Sequence, residues 1–234
     1  MQLVKKENRS MAEYNEGENN DSKTSQINTI PNHISMIGFI ADLPNICTLF
    51  GLLSALLGIY FAIQGQIHYA VIGGVWAVVF DWLDGLIASK MKNRTDNHRA
   101  FGGQLDSLID IVSFGVLPAI ILLSYSNYNP WYLPGAFAII AACAIRLSYF
   151  NIFGLTDGKT YTGLAVDYNG LIVSLFFLIE SFFGPEVYSE GFYILIMVVA
   201  VLNLSPIQIP KFSKKFLIGI LAYVIALTIY LVII

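Results

Sequence analysis

The sequence predicts an all-α, polytopic transmembrane helical bundle of about seven spans, with its N-terminus in the cytoplasm. Three observations carry this. Hydrophobic residues make up 56% of the 234-residue chain and charged residues only 12%, against roughly 25% charged in an ordinary soluble domain. Mean hydropathy is +0.66. The polar residues crowd into the first 35 positions, and most of the remaining chain is apolar. So few charges cannot cover a water-soluble globule of this size. The arithmetic excludes a disordered chain, a coiled coil, a basic nucleic-acid-binding domain and a soluble enzyme. The net charge of -3 argues neither way about a nucleic-acid partner, and without a basic domain none is expected.

Residues 1–34 carry mixed charges and no apolar core, so they read as a mobile polar tail. The first long apolar run comes too late for a cleavable secretory signal. Residues 35–234 read as one membrane-embedded domain. Its first segment, ISMIGFIADLPN, mixes apolar and polar residues. It fits an interfacial amphipathic helix near 35–43 ended by Pro44, or a short loop. Seven apolar segments come next, at about 45–64, 68–89, 104–125, 131–151, 167–183, 191–206 and 216–234. A span needs about 20 residues, so the fifth and sixth are short and require a thin bilayer or buried ends. Cys47 and Cys143 lie in apolar runs and read as buried thiols. The three histidines lack metal-ligand spacing.

Lysine and arginine set the orientation. They fall in the tail (Lys5, Lys6, Arg9, Lys23), after the second span (Lys90, Lys92, Arg94, Arg99), around the end of the fourth (Arg146, Lys159) and after the sixth (Lys211, Lys214, Lys215). These are all 13 basic residues, and alternating spans put every one on the same side. That side is the cytoplasm, and the protein is expected in the plasma membrane with the ends that carry these residues facing inward.

Four acids interrupt the second and third spans: Asp81, Asp84, Asp106 and Asp110. Insertion scales charge about 2.5–3.5 kcal/mol for such a group near a helix centre. They could be solvated acids at the boundary, but aspartate is too short to snorkel far. Their spacing is helical. Asp81 and Asp84 are i, i+3, and Asp106 and Asp110 are i, i+4, so each pair shares one helix face. A short connection lets the two faces meet. Like charges in one cleft repel unless a cation lies among them. Oxygen-only ligands suit Mg²⁺ or Mn²⁺. Gly85 and Gly102 flank the acids. Close helix packing is one reading of them. Room for a large ligand to reach the backbone is the other, and the neighbouring acids favour it.

Asp81-x-x-Asp84-Gly85-x-x-Ala88 followed by Gly102-x-x-x-Asp106-x-x-x-Asp110 resembles the signature of the CDP-alcohol phosphotransferases. The family's usual Arg after the alanine is Ser89 here, followed by Lys90, and the spacer to Gly102 is slightly longer. Leu43-Pro44-Asn45 is similar to the family's segment before the first span. The stretch from Phe101 to Gly115, then Arg146-Leu147-Ser148-Tyr149-Phe150-Asn151, Tyr161-Thr162-Gly163-Leu164 and Pro210-Lys211-Phe212, resembles the phosphatidylserine synthase branch. Tyr149 and Ala165 replace an Arg and a Pro common there. The likeness covers about residues 40–215.

The resemblance implies the CDP-alcohol phosphotransferase fold and a reaction. Phosphatidyl passes from CDP-diacylglycerol to L-serine, releasing CMP. It implies two Mg²⁺ or Mn²⁺ ions on Asp81, Asp84, Asp106 and Asp110, with Asp110 also the general base. It implies CDP-diacylglycerol binding by Asn45, Gly85, Ala88, Ser89 and Gly102. Arg146 lies within an apolar run, where it can bind a carboxylate or phosphate. Lys159, beside the serine-synthase-like Tyr161-Thr162-Gly163, is a second candidate for the acceptor side. Partners would be membrane lipids and, as often in this family, a second copy of the chain. Three alternatives stand beside this reading. The acceptor could be inositol phosphate, glycerol phosphate or choline, or the donor an archaeal ether lipid. Acids could line a cation channel or transporter, which would distribute them through the membrane depth. Ser89 could mark a catalytically dead homologue. Gly163 and Asp167 receive no assignment.

Overall fold

A computed structural model describes residues 35–210 and 216–233. The expected tail at 1–34 and the basic residues Lys211, Lys214 and Lys215 lie outside the described residues. The chain divides into a short N-terminal unit, 1–38, and a unit of 39–234 that holds the helical bundle and the candidate site.

The described elements are almost all helical. In order they are α1 (Met36–Ile40), α2 (Leu43–Ile63), α3 (Ile67–Lys90), α4 (Asp96–Asp110), a π-helix (Ile111–Val116), α5 (Leu117–Tyr125), α6 (Leu133–Phe153), α7 (Asp167–Phe177), α8 (Pro185–Asn203) and α9 (Phe216–Ile233). Pro44 does not end α1. It occupies the first turn of α2, where a missing N–H costs nothing because that group has no intrahelical partner. Among the described residues, five helices are long and apolar enough to cross a membrane: Leu43–Ile63, Ile67–Lys90, Asp96–Tyr125, Pro130–Phe153 and Pro185–Asn203. Their outer faces are apolar and exposed, as at Leu56, Tyr60, Phe137, Ile194 and Val201. Lipid tails make that arrangement favourable.

Three expected spans come out differently, and in the last of them, 216–234, the apolar helix counted is Ile218–Ile233, shorter than the five above. The segment 167–183 breaks: α7 stops at Phe177, and a 3₁₀ turn, Glu180–Phe182, comes after it. Eleven residues reach only about 17 Å, short of the ~30 Å hydrocarbon core. Glu180 follows the break, and its carboxylate meets His68 Nε2 at 2.9 Å; a charged group there does not suit the continuation of an apolar span. The segment 191–206 instead starts earlier, at Pro185. Glu186, Ser189 and Glu190 hide that first part from a hydropathy reading, and Pro185 is well suited to open a helix.

α2 and α3 approach to backbone contact. A β-carbon on Gly73 would lie 2.8 Å from the Ser54 carbonyl oxygen, and the Ser54 hydroxyl donates to the Gly73 carbonyl at 2.9 Å. The core behind them is built from Phe114, Leu117, Ile121, Ile139, Phe177, Phe192 and Ile196. A small antiparallel ribbon departs from the all-helical expectation. β1 (Thr160–Thr162) pairs with β2 (Gln208–Pro210) in the register Tyr161↔Ile209. Gly163 closes β1 with φ +76°, and its N–H donates to the Ile207 carbonyl at 2.7 Å. A side chain there would run into the Asn203 carbonyl, so only glycine fits.

Candidate active site

The last turns of α3 carry Asp81 and Asp84, and the second half of α4 carries Asp106 and Asp110. The helical spacing does what the pattern implies, and the two pairs face each other. One carboxylate oxygen from each of Asp81, Asp84 and Asp106 lies within 4.8 Å of the others. Asp110 is 8% exposed and reaches the Asp81 carboxyl. Asp106 Oδ1 is buried and has no hydrogen-bond partner. A buried acceptor without a donor is costly; here it faces other acceptors, which is what a hard divalent cation needs. The donor set therefore fits Mg²⁺ or Mn²⁺.

The acids line a cavity of about 320 Å³. Gly85, Ser89, Arg146, Phe150, Tyr161 and Asp167 line it too. A β-carbon on Gly85 would touch nothing within 4 Å, so no neighbouring protein group explains that glycine. Gly102 has a different setting. A β-carbon there would lie 2.7 Å from Arg94 Nη2 and 2.9 Å from Asn45 Oδ1. Asn45 is itself buried, and its amide donates to the Phe39 carbonyl at 2.7 Å. Asn45, Gly102 and Ala88 lie outside the cavity lining. So does Lys159, exposed in the turn before β1.

Supports hold the acids in place. Thr48 on α2 donates to Asp84 Oδ2 at 2.5 Å. Arg94 is not a loose loop cation: its Nε donates to Asp42 Oδ2 at 2.7 Å, and both side chains are at least nine-tenths buried. This pair ties the α3–α4 connection to the start of α2. The π-helix directly after Asp110 has a local cause. Pro118 has no N–H, so the Phe114 carbonyl lacks its i+4 donor. Asn169 Nδ2 at 3.2 Å and Cys143 Sγ at 3.4 Å supply donors instead. Asn169 and Asn203 also exchange amide hydrogen bonds at 3.1 Å in both directions.

Two features escaped the reading of the sequence. Asp167, at the first position of α7, is a fifth acid in the cavity and interacts with Asp81, Asp106 and Asp110. Its signal was present, because it too is a carboxylate at the edge of an apolar run. Tyr161 reaches the cavity from β1, and burial pushes its phenol above the ordinary range. Arg146 is 5% exposed, and its Nε has no partner. Its guanidinium is stacked over Phe150 at 5.3 Å and Tyr161 at 5.5 Å.

Similarity to known proteins agrees with this geometry. The family model described as CDP-alcohol phosphatidyltransferase matches residues 41–225. An archaetidylserine synthase of Methanothermobacter thermautotrophicus is 36% identical over 182 residues, covering 77% of this chain and 74% of the relative. A CDP-diacylglycerol–serine O-phosphatidyltransferase of Helicobacter pylori is 30% identical over 179 residues, covering 73% of each. One of Methanocaldococcus jannaschii is 34% identical over 155 residues, covering 65% of this chain and 69% of the relative. The chain belongs to the CDP-alcohol phosphatidyltransferase family.

Proposed function

We propose that this enzyme transfers the phosphatidyl group of CDP-diacylglycerol to the hydroxyl of L-serine, releasing CMP. The observation that carries the reading is a cavity lined by four carboxylates from two helices and by Arg146, whose buried Nε has no hydrogen-bond partner. Asp81, Asp84 and Asp106 would hold a divalent ion, Mg²⁺ or Mn²⁺, and Asp110 would reach a second. When bound, such ions neutralise the pyrophosphate and the charge that grows on departing CMP.

The chain's own groups do the rest. Asp110 accepts the proton of the serine hydroxyl. The serine oxygen bonds to the phosphorus that carries diacylglycerol, and the bond from that phosphorus to the oxygen of CMP breaks. CMP leaves with the bonding electron pair. Among the described residues, no cysteine or histidine lines the cavity, which favours direct displacement over a covalent intermediate on such a residue. Arg146 takes the serine carboxylate through its guanidinium, which packs against two adjoining aromatic rings. Gly85 leaves space at the cavity wall for the donor. The acids adjoin a basic turn region, with Lys90 ending α3, Lys92 and Arg94 in the connection and Arg99 in the first turn of α4, which supports an active site on the cytoplasmic side of the plasma membrane.

An acceptor panel tests the reading. Purified protein in detergent receives CDP-diacylglycerol, Mn²⁺ and one alcohol at a time: serine, inositol phosphate, glycerol phosphate or choline. CMP release with serine is expected. Release with inositol phosphate and none with serine would reject it.

A further inference from the structure

Arg146 and Asp167 face the same cavity from different helices. Each senses the charge of the other, yet no ion pair of 4.0 Å or less joins them among the described residues. Opposite charges in a poorly solvated site attract strongly. Two that are held apart leave both poles open to a ligand.

Each pole is locked. Arg146 packs against the adjoining rings of Phe150 and Tyr161 and is the sole cation among the cavity-lining residues. Asp167 Oδ2 accepts from the Trp82 indole at 2.7 Å. It stands in the first turn of α7, where the helix start favours a carboxylate. A carboxylate has about four acceptor sites, so the indole orients it and leaves capacity over. Asp167 also stands outside the carboxylate cage formed by Asp81, Asp84 and Asp106. It is therefore the acid of the cavity left free for an organic cation.

We propose that Asp167 binds the ammonium group of the acceptor while Arg146 binds its carboxylate, so that the site selects a zwitterionic α-amino acid alcohol. This rests on the serine reading and adds to it. A phosphorylated alcohol would satisfy Arg146 but bring its negative charge against Asp167. Choline would satisfy Asp167 and leave Arg146 buried without an anion. An amino acid offers both charges on one carbon. Trp82, which also lines the cavity, is assigned as a positioning residue because its indole N–H is spent on Asp167.

The experiment crosses the residue with the substrate group it is said to hold. Wild-type protein and Asp167→Asn are each given L-serine or 3-hydroxypropanoate, which is serine without its ammonium. CMP release yields kcat/KM, and calorimetry yields acceptor binding with no donor present. Wild type is expected to prefer serine by about 10- to 100-fold, the scale of one charge-assisted hydrogen bond. In Asp167→Asn that preference should collapse to within about threefold, in binding as in turnover. Trp82→Phe should reduce it part of the way. An Asp167→Asn protein that loses activity equally on both acceptors, or keeps the full preference, overturns the ammonium site while leaving the serine reading intact. Wild-type protein that accepts another alcohol and ignores serine overturns both.

Discussion

The Thr48 hydroxyl on α2 donates to Asp84 Oδ2 on α3 at 2.5 Å, and both residues are buried. One helix thereby orients a carboxylate, proposed above as an ion ligand, that its neighbour carries. The contact orders a side chain that would otherwise turn away from three other carboxylates. Thr48→Val keeps the shape and deletes the donor. Loss of such a supporting hydrogen bond typically weakens metal binding about 10- to 100-fold. A Mn²⁺ titration of CMP release should show that shift in the half-saturating concentration, with little change in the maximal rate at high Mn²⁺.

Arg94 and Asp42 should behave as one unit. Removing one partner of a buried ion pair typically costs about 3–5 kcal/mol, because the other charge is left unpaired. Arg94→Ala and Asp42→Ala should each lower the thermal unfolding midpoint in detergent markedly. The double variant should be no worse than the more damaging single one. Additive losses would show that the pair is not coupled. Gly102→Ala belongs to the same test, since its new β-carbon would press on Arg94 Nη2.

The Asn169–Asn203 pair supports the π-helix next to Asp110. Asn169→Ala leaves the Phe114 carbonyl without its amide donor and one Asn203 group unmatched. Each unsatisfied buried group costs about 1–3 kcal/mol. Chemical denaturation should register that loss. The serine KM and the rate should change together, because Asp110 moves with the helix. An Asn169→Ala protein with native stability would contradict the role assigned to the pair.

Arg146→Met should weaken L-serine binding and spare ethanolamine, which is serine without its carboxylate. The loss expected for one bidentate charged contact is about 10- to 100-fold in kcat/KM for serine. Equal losses on both acceptors would assign Arg146 to the donor instead.

Much of the site is legible in the sequence, for physical reasons. Carboxylates are rare in apolar runs, so Asp81, Asp84, Asp106 and Asp110 stand out, and their i+3 and i+4 spacing shows the shared faces. Arg146 stands out in the same way. Long-range partnerships carry no such local mark. Arg94 reads as an ordinary loop cation because Asp42 lies 52 residues away. Asp167 reads as a plain helix-start acid because Trp82 is 85 residues away. The three-residue strands of the ribbon are too short to show an alternating pattern. The π-helix leaves only Pro118 as a trace. The break after α7 comes just before Glu180, whose partner His68 lies 112 residues away, and hydropathy does not register that partnership.

If the carboxylate cavity performs the transfer with Asp110 as its base, that residue cannot be neutralised without loss of turnover. Serine-dependent CMP release by Asp110→Asn, set beside wild type at matched folding and Mn²⁺, tests this most directly. A positioned general base contributes about 10²- to 10⁴-fold. A loss of at least that size is predicted, in a protein that elutes and melts like wild type. Unchanged turnover in that variant would contradict the assignment.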